Sequence, residues 1–110
     1  MCVNHKKENV MSWYKILISP QMVTQGVLAE ITYRFAAIKA SKNVPDTFNA
    51  FLGKRGEGGG MTIYFTPDAT DYAEPLIRRN NGVKCEKPAI EELSFTLLGH
   101  RITPELLVDD

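Results

Sequence analysis

An α+β fold in a single two-layer domain is what this chain predicts, on three observations. Leu28, Ile31, Phe35 and Ile38 recur at spacings of three and four residues, the stripe of an amphipathic helix. Trp13–Ile18 and Met61–Thr66 concentrate the aromatic and β-branched residues that a pleated sheet favours. A length of 110 residues, 44% of them hydrophobic and 24% charged, fits one core and leaves no room for two.

Taken in order, Trp13-Tyr14-Lys15-Ile16-Leu17-Ile18 reads as the first strand, closed by Pro20. Val23 to Ser41 reads as one long helix, with Val27 and Ala36 widening its apolar stripe. Glu30, Thr32, Arg34 and Lys39 fall on its other faces, and Glu30 stands four residues before Arg34, the favourable order for a surface pair. Asn43-Val44-Pro45-Asp46 stops this helix. Thr47–Leu52 fits two templates: Phe48, Phe51 and Leu52 suit a helical turn capped by Asp46, while Phe48, Ala50 and Leu52 suit one face of a strand. The next eight residues, Gly53 to Gly60, hold five glycines and read as a flexible exposed loop. Met61, Ile63 and Phe65 then alternate against Thr62, Tyr64 and Thr66, the clearest strand of the chain.

Thr66-Pro67-Asp68-Ala69-Thr70-Asp71 supplies N-cap oxygens before a second helix over Tyr72 to Asn80. Pro75 belongs near its first turn, because a proline deeper in a helix costs about 3 kcal/mol. Arg78 and Arg79 suit the negative end of the helix dipole, and Asn81-Gly82 offers a left-handed stop. Val83-Lys84-Cys85-Glu86 is a short strand closed by Lys87-Pro88, and Ser94–Leu98 a last one. If Thr47–Leu52 pairs with Met61–Thr66, the order becomes β-α-β-β-α-β, that of a ferredoxin-like split βαβ unit; if not, a smaller βαβα arrangement with added strands remains. Both put two helices on one face of a mixed or antiparallel sheet. The expected core is Ile16, Ile18, Leu28, Ile31, Phe35, Ile38, Ile63, Phe65, Leu76 and Cys85. The domain spans 12–98, with 1–11 an N-terminal extension in which Met11 is a candidate first residue, and 99–110 a C-terminal tail.

Composition excludes several classes. Lys and Arg number 13 and so do Asp and Glu, so no net charge favours nucleic acid. The imbalance is local: residues 1–60 carry eight basic against four acidic side chains, and 61–110 carry five against nine, an asymmetry able to steer self-association. Cys2 and Cys85 are too few for a disulfide scaffold or a four-cysteine zinc site. The uncharged stretch Ile16–Ala29 is too short and polar to span a bilayer, and Lys15 interrupts any signal-type apolar run. A cytoplasmic protein with reduced thiols, no membrane and no cofactor is expected.

Four groups of residues merit attention as sites. Lys54 and Arg55 in the glycine loop form a possible anion or ligand loop, although the glycines precede a strand and so lack the order of a P-loop or dinucleotide fingerprint. Asp68, Asp71 and Glu74 recur every three residues as a possible acidic cluster for a hard cation, in a place that caps and the helix dipole also favour. Arg78, Arg79 and Lys84, with Lys87 and Tyr72 nearby, make a possible basic cluster. Tyr14 and Tyr64 are expected on exposed sheet faces, the place where RNA-recognition modules stack bases, but the RNP1 pattern of those modules is missing. Cys85 alternates inward and reads as an inert thiol, and His5 and His100 lie in the extension and the tail, a poor address for a general base. A Cys85–His100 couple has no support in spacing, and no G-x-S-x-G, H-E-x-x-H or C-x-x-C occurs.

The function expected from these residues is a non-catalytic binding, regulatory or protein-interaction module acting as a homo-oligomer, with a small molecule or protein as partner. A small metabolite enzyme with its site at a subunit interface, or a weak RNA-binding module, is the alternative.

Overall fold

The computed structural model describes residues 12–41 and 43–107. Five strands form one sheet: β1 (Trp13–Ile18), β2 (Ala50–Gly53), β3 (Met61–Phe65), β4 (Val83–Cys85) and β5 (Leu93–Thr96). Helices α1 (Pro20–Thr24) and α2 (Val27–Ser41) lie between β1 and β2, and α3 (Ala69–Tyr72) and α4 (Glu74–Arg79) between β3 and β4. The strand order is β4-β1-β3-β2-β5, and every neighbouring pair is antiparallel. Of the mixed or antiparallel sheet expected from the sequence, the antiparallel form is the one present. β1 and β2 do run parallel, but β3 lies between them; β3 and β4 run parallel, but β1 lies between them. Each helical connection thus skips one strand, and parallel strands never touch.

The open alternative at Thr47–Leu52 resolves as strand from Ala50 onward, with Thr47 in the turn that leads into it. Leu52 stands opposite Ile63 and Ala50 opposite Phe65 across the glycine loop. That loop is closed by its own backbone: Gly56 N–H donates to Gly60 O and Gly59 N–H to Gly56 O, both at 2.9 Å.

Two helices differ from their sequence reading. The first is broken at Gln25-Gly26, where Gly26 takes φ +84°. Pro20 ends β1 and also opens α1: Ser19 is the N-cap, its Oγ accepting from Met22 N–H at 3.2 Å, with proline in the first turn. The second is interrupted at Ala73, because Pro75 has no N–H for the preceding turn and must begin a new helix. At its end Asn81, rather than Gly82, takes the left-handed conformation, with φ 61°. Asn81 N–H donates to Arg78 O at 3.1 Å and Gly82 N–H to Ile77 O at 2.8 Å, the paired bonds of a Schellman stop. Gly82 is required for closeness: a Cβ there would stand 2.3 Å from Ile77 Cγ2 and 3.0 Å from Ile77 O.

Alternation along the strands divides the core into two clusters. Ile16, Ile18, Ala50, Ile63 and Phe65 face the helices, meeting Ile31, Phe35, Leu76 and Ile77. Phe48 fills the space between Phe35 and Tyr72, with ring centroids 5.1 and 5.4 Å away. On the other face Trp13, Phe51, Leu93 and Leu107 form a second cluster, joined by the partly buried Tyr64, Cys85, Ile102 and Leu106. The segment from Gly99 to Leu107, read from the sequence as a tail, thus lays three of its apolar side chains on the sheet. Cys85 is half-buried against this second cluster, not in the helix-side core as expected, because its register partner is Trp13. Leu28 and Ile38, also expected inside, are partly buried against the helix side. Residues 1–11, including Cys2 and His5, and 108–110 lie outside the described residues. No helix among the described residues is long and apolar enough to cross a membrane.

Two substitutions test this packing by urea denaturation. Gly82→Ala should cost about 1–3 kcal/mol through overpacking against Ile77. Leu107→Ala should cost about 2–4 kcal/mol; a detachable tail would give no change.

Candidate functional site

The sequence-derived clusters do not assemble. Asp68 uses its carboxylate on hydroxyls: Thr47 Oγ1 donates to it at 2.6 Å, and Thr66 Oγ1 at 2.7 Å. Thr66, fully buried, also accepts from Asn49 N–H at 3.0 Å, so these residues tie the approach to β2 to the end of β3. Asp71 is exposed, and Glu74 pairs with Arg78 at 3.1 Å. Among the described residues no group of acids, histidines and cysteines could hold a metal ion.

The basic cluster is divided in the same way. Arg78 belongs to the Glu74 pair, Arg79 is exposed, and Lys84 lies on β4. Lys54 and Arg55 are exposed on the glycine loop. Cys85 and His100 belong to opposite edges of the sheet, since β4 and β5 are its two outer strands. Tyr14 and Tyr64 point to opposite faces. Tyr14 stands opposite Phe65 and packs under the helices, whereas Tyr64 stands opposite Lys15 on the second face.

A different group does assemble. Lys15 on β1, Tyr64 on β3 and Cys85 on β4 come to one cleft of about 470 Å³, walled by Lys84, Glu86, Lys87, Pro88, Ala89 and Glu92. Lys15 sits directly opposite Tyr64, and Cys85 is diagonal to Lys15, since Lys15 pairs with Val83. Strand geometry makes this grouping inevitable once the register is set: residues directly or diagonally opposite share a face.

Electrostatics define what these groups can do. Burial, then the charges of Glu92 and Cys85, pushes the Tyr64 phenol up from its ordinary value. Burial also raises the Cys85 thiol, with Glu86 adding to the rise and Lys15 opposing it. Both groups therefore keep their protons at neutral pH and can donate hydrogen bonds beside the Lys15 ammonium. None of their side chains makes a hydrogen bond or ion pair with another described residue, so all three offer donors to the cleft. Trp13 lies on the same face, its buried indole N–H without an acceptor among the described residues.

Sequence reading passed over this site. Lys15 registers there only as an interruption of an apolar run and Cys85 as an inward residue. The available signal is the other half of the alternation: Trp13, Lys15 and Leu17 are the members of β1 that do not face the helices, and Thr62 and Tyr64 the equivalent members of β3. No protein-family model, curated protein or solved structure matches this chain.

A pH prediction follows from the two raised groups. In the unfolded chain the thiol and phenol ionise near their ordinary values of 9.0 and 10.0, before the folded groups do. Above those values the unfolded state holds fewer protons, so stability falls as pH rises, while below them these groups leave it unchanged. Urea denaturation across alkaline pH should show this fall, and Cys85→Ala with Tyr64→Phe should flatten it.

Proposed function

We propose that this protein is a non-catalytic binding module, cytoplasmic and homo-oligomeric, that holds a small polar metabolite in the cleft of Lys15, Tyr64 and Cys85. One observation carries the reading: three side-chain donors from three adjacent strands converge on one cleft, none of them hydrogen-bonded to another described side chain. A ligand with an acceptor group, such as a carboxylate, completes them. The non-catalytic part rests on Cys85. A nucleophilic cysteine needs its thiolate, and burial holds this thiol protonated.

The fold fits the same reading. The order β4-β1-β3-β2 with two skipped-strand helical connections supports a ferredoxin-like split βαβ unit, to which β5 is added beside β2. Self-association would use β4, an outer strand. Because side chains alternate, a two-fold antiparallel pairing can centre on Lys84, Cys85 or Glu86. Centring on Lys84 or Glu86 opposes like charges, whereas centring on Cys85 sets Lys84 opposite Glu86 of the second copy on both sides.

Native mass spectrometry of protein purified from its own host tests both halves. A retained small molecule, lost in Lys15→Gln/Tyr64→Phe and chemically unchanged on release, is the expected result. Turnover of that molecule, or amides of β1, β3 and β4 indifferent to every small carboxylate tried, would overturn the reading. For the oligomer, sedimentation should show a dimer that Lys84→Glu dissociates and Lys84→Glu/Glu86→Lys restores; a monomer at high concentration refutes it.

A further inference from the structure

The cleft carries charges of both signs, and their arrangement restricts the ligand further. Lys15 lies between Tyr64 and Cys85, and its positive charge is felt at the Cys85 thiol. Glu92 lines the wall on the Tyr64 side, and its charge is felt at the phenol; Glu86 acts in the same way on Cys85. Lys15 makes no ion pair with Glu86 or Glu92. A plain anion would gain Lys15, the two neutral donors and the lysines of the wall, Lys84 and Lys87, but would also meet the carboxylates of Glu86 and Glu92. A plain cation would gain those carboxylates and meet the lysines, so only a ligand carrying both signs uses both sets.

We propose that the ligand is a zwitterion of α-amino-acid type, its carboxylate held by Lys15 with the Tyr64 and Cys85 donors and its ammonium directed to Glu92. This deepens the binding reading given above and rests on it. The chemistry is complementary at each end: the carboxylate accepts from an ammonium, a phenol and a thiol, and the ligand's own ammonium donates to an acceptor-only carboxylate. The apolar part of the ligand would lie along Pro88 and Ala89, which line the same cleft.

Calorimetric titration of the full chain with the common L-amino acids tests this, with the best binder compared to its des-amino acid and its decarboxylated amine. The amino acid should bind about tenfold or more tightly than either half. Glu92→Gln should bring the amino acid down to the level of the des-amino acid while leaving the latter's affinity unreduced. Lys15→Gln should bring it down to the level of the amine. Lys15→Arg, which keeps the charge, should retain binding and so separates lost recognition from lost folding. Equal affinity for the amino acid and its des-amino acid overturns the zwitterion and leaves the small-ligand reading intact. Binding by no amino acid while a retained metabolite is seen from the host also overturns it. No retained metabolite and no response to any carboxylate removes both.

Discussion

Side chains alternate along β1, and both of its faces are in use. Ile16 and Ile18 go under the helices, while Trp13 and Lys15 go to the opposite face. A one-residue slip would exchange these sets, putting Lys15 into the apolar core and both isoleucines outside, so register here is fixed by burial. Since β1 lies between β3 and β4, that register also decides which residues of β3 and β4 accompany it. Tyr64 and Cys85 are brought beside Lys15 for no other reason. Core and cleft are two consequences of one alternation.

What was legible in the sequence was local. The stripe through Ile31 and Phe35 and the alternation of Ile63 and Phe65 each declare a buried face within a few residues, and both are buried as read. The misreadings arise where one residue has two uses. Pro20 stops a strand and opens a helix, and the second use was hidden behind the first. Pro75 does lie in a first turn, but in that of a separate helix beginning after Ala73. The rest is non-local. Nothing near Leu107 says that it will pack on Trp13 and Phe51, since those residues are distant in sequence. The site suffers most from this, being assembled from three strands whose order no short pattern encodes.

Chemical role follows from how deep the groups are. Were Cys85 fully exposed beside Lys15, the ammonium would draw its thiol toward thiolate; half-buried against Trp13, it is moved the other way because desolvation is the larger effect. At Tyr64 nothing opposes the rise: burial, Glu92 and Cys85 all push the phenol up. Two neutral donors flanking one cation suit holding an acceptor group and are unsuited to attacking it. The acidic and basic clusters of the second helical region are occupied differently, as internal ties: Asp68 to Thr47 and Thr66, Glu74 to Arg78.

The cleft owes its walls to topology. β4 and β5 are consecutive strands, yet they form the two outer edges of the sheet. The connection from Glu86 to Glu92 must therefore travel from one edge to the other, and the helices already occupy one face. It crosses the second face, where Pro88 is buried, and Lys54 N–H holds its end by donating to Glu92 O at 2.9 Å. An irregular segment crossing a sheet cannot fill the surface as a helix does, because it presents no continuous apolar stripe. Here the Gly99–Leu107 segment covers the Trp13 and Phe51 side with Ile102, Leu106 and Leu107, and the space left beside the crossing segment opens over Lys15 and Tyr64. Moving β5 next to β4 would remove both the crossing and the cleft. The placement of the fifth strand is thus the step at which this fold acquires a recess with polar groups at its floor.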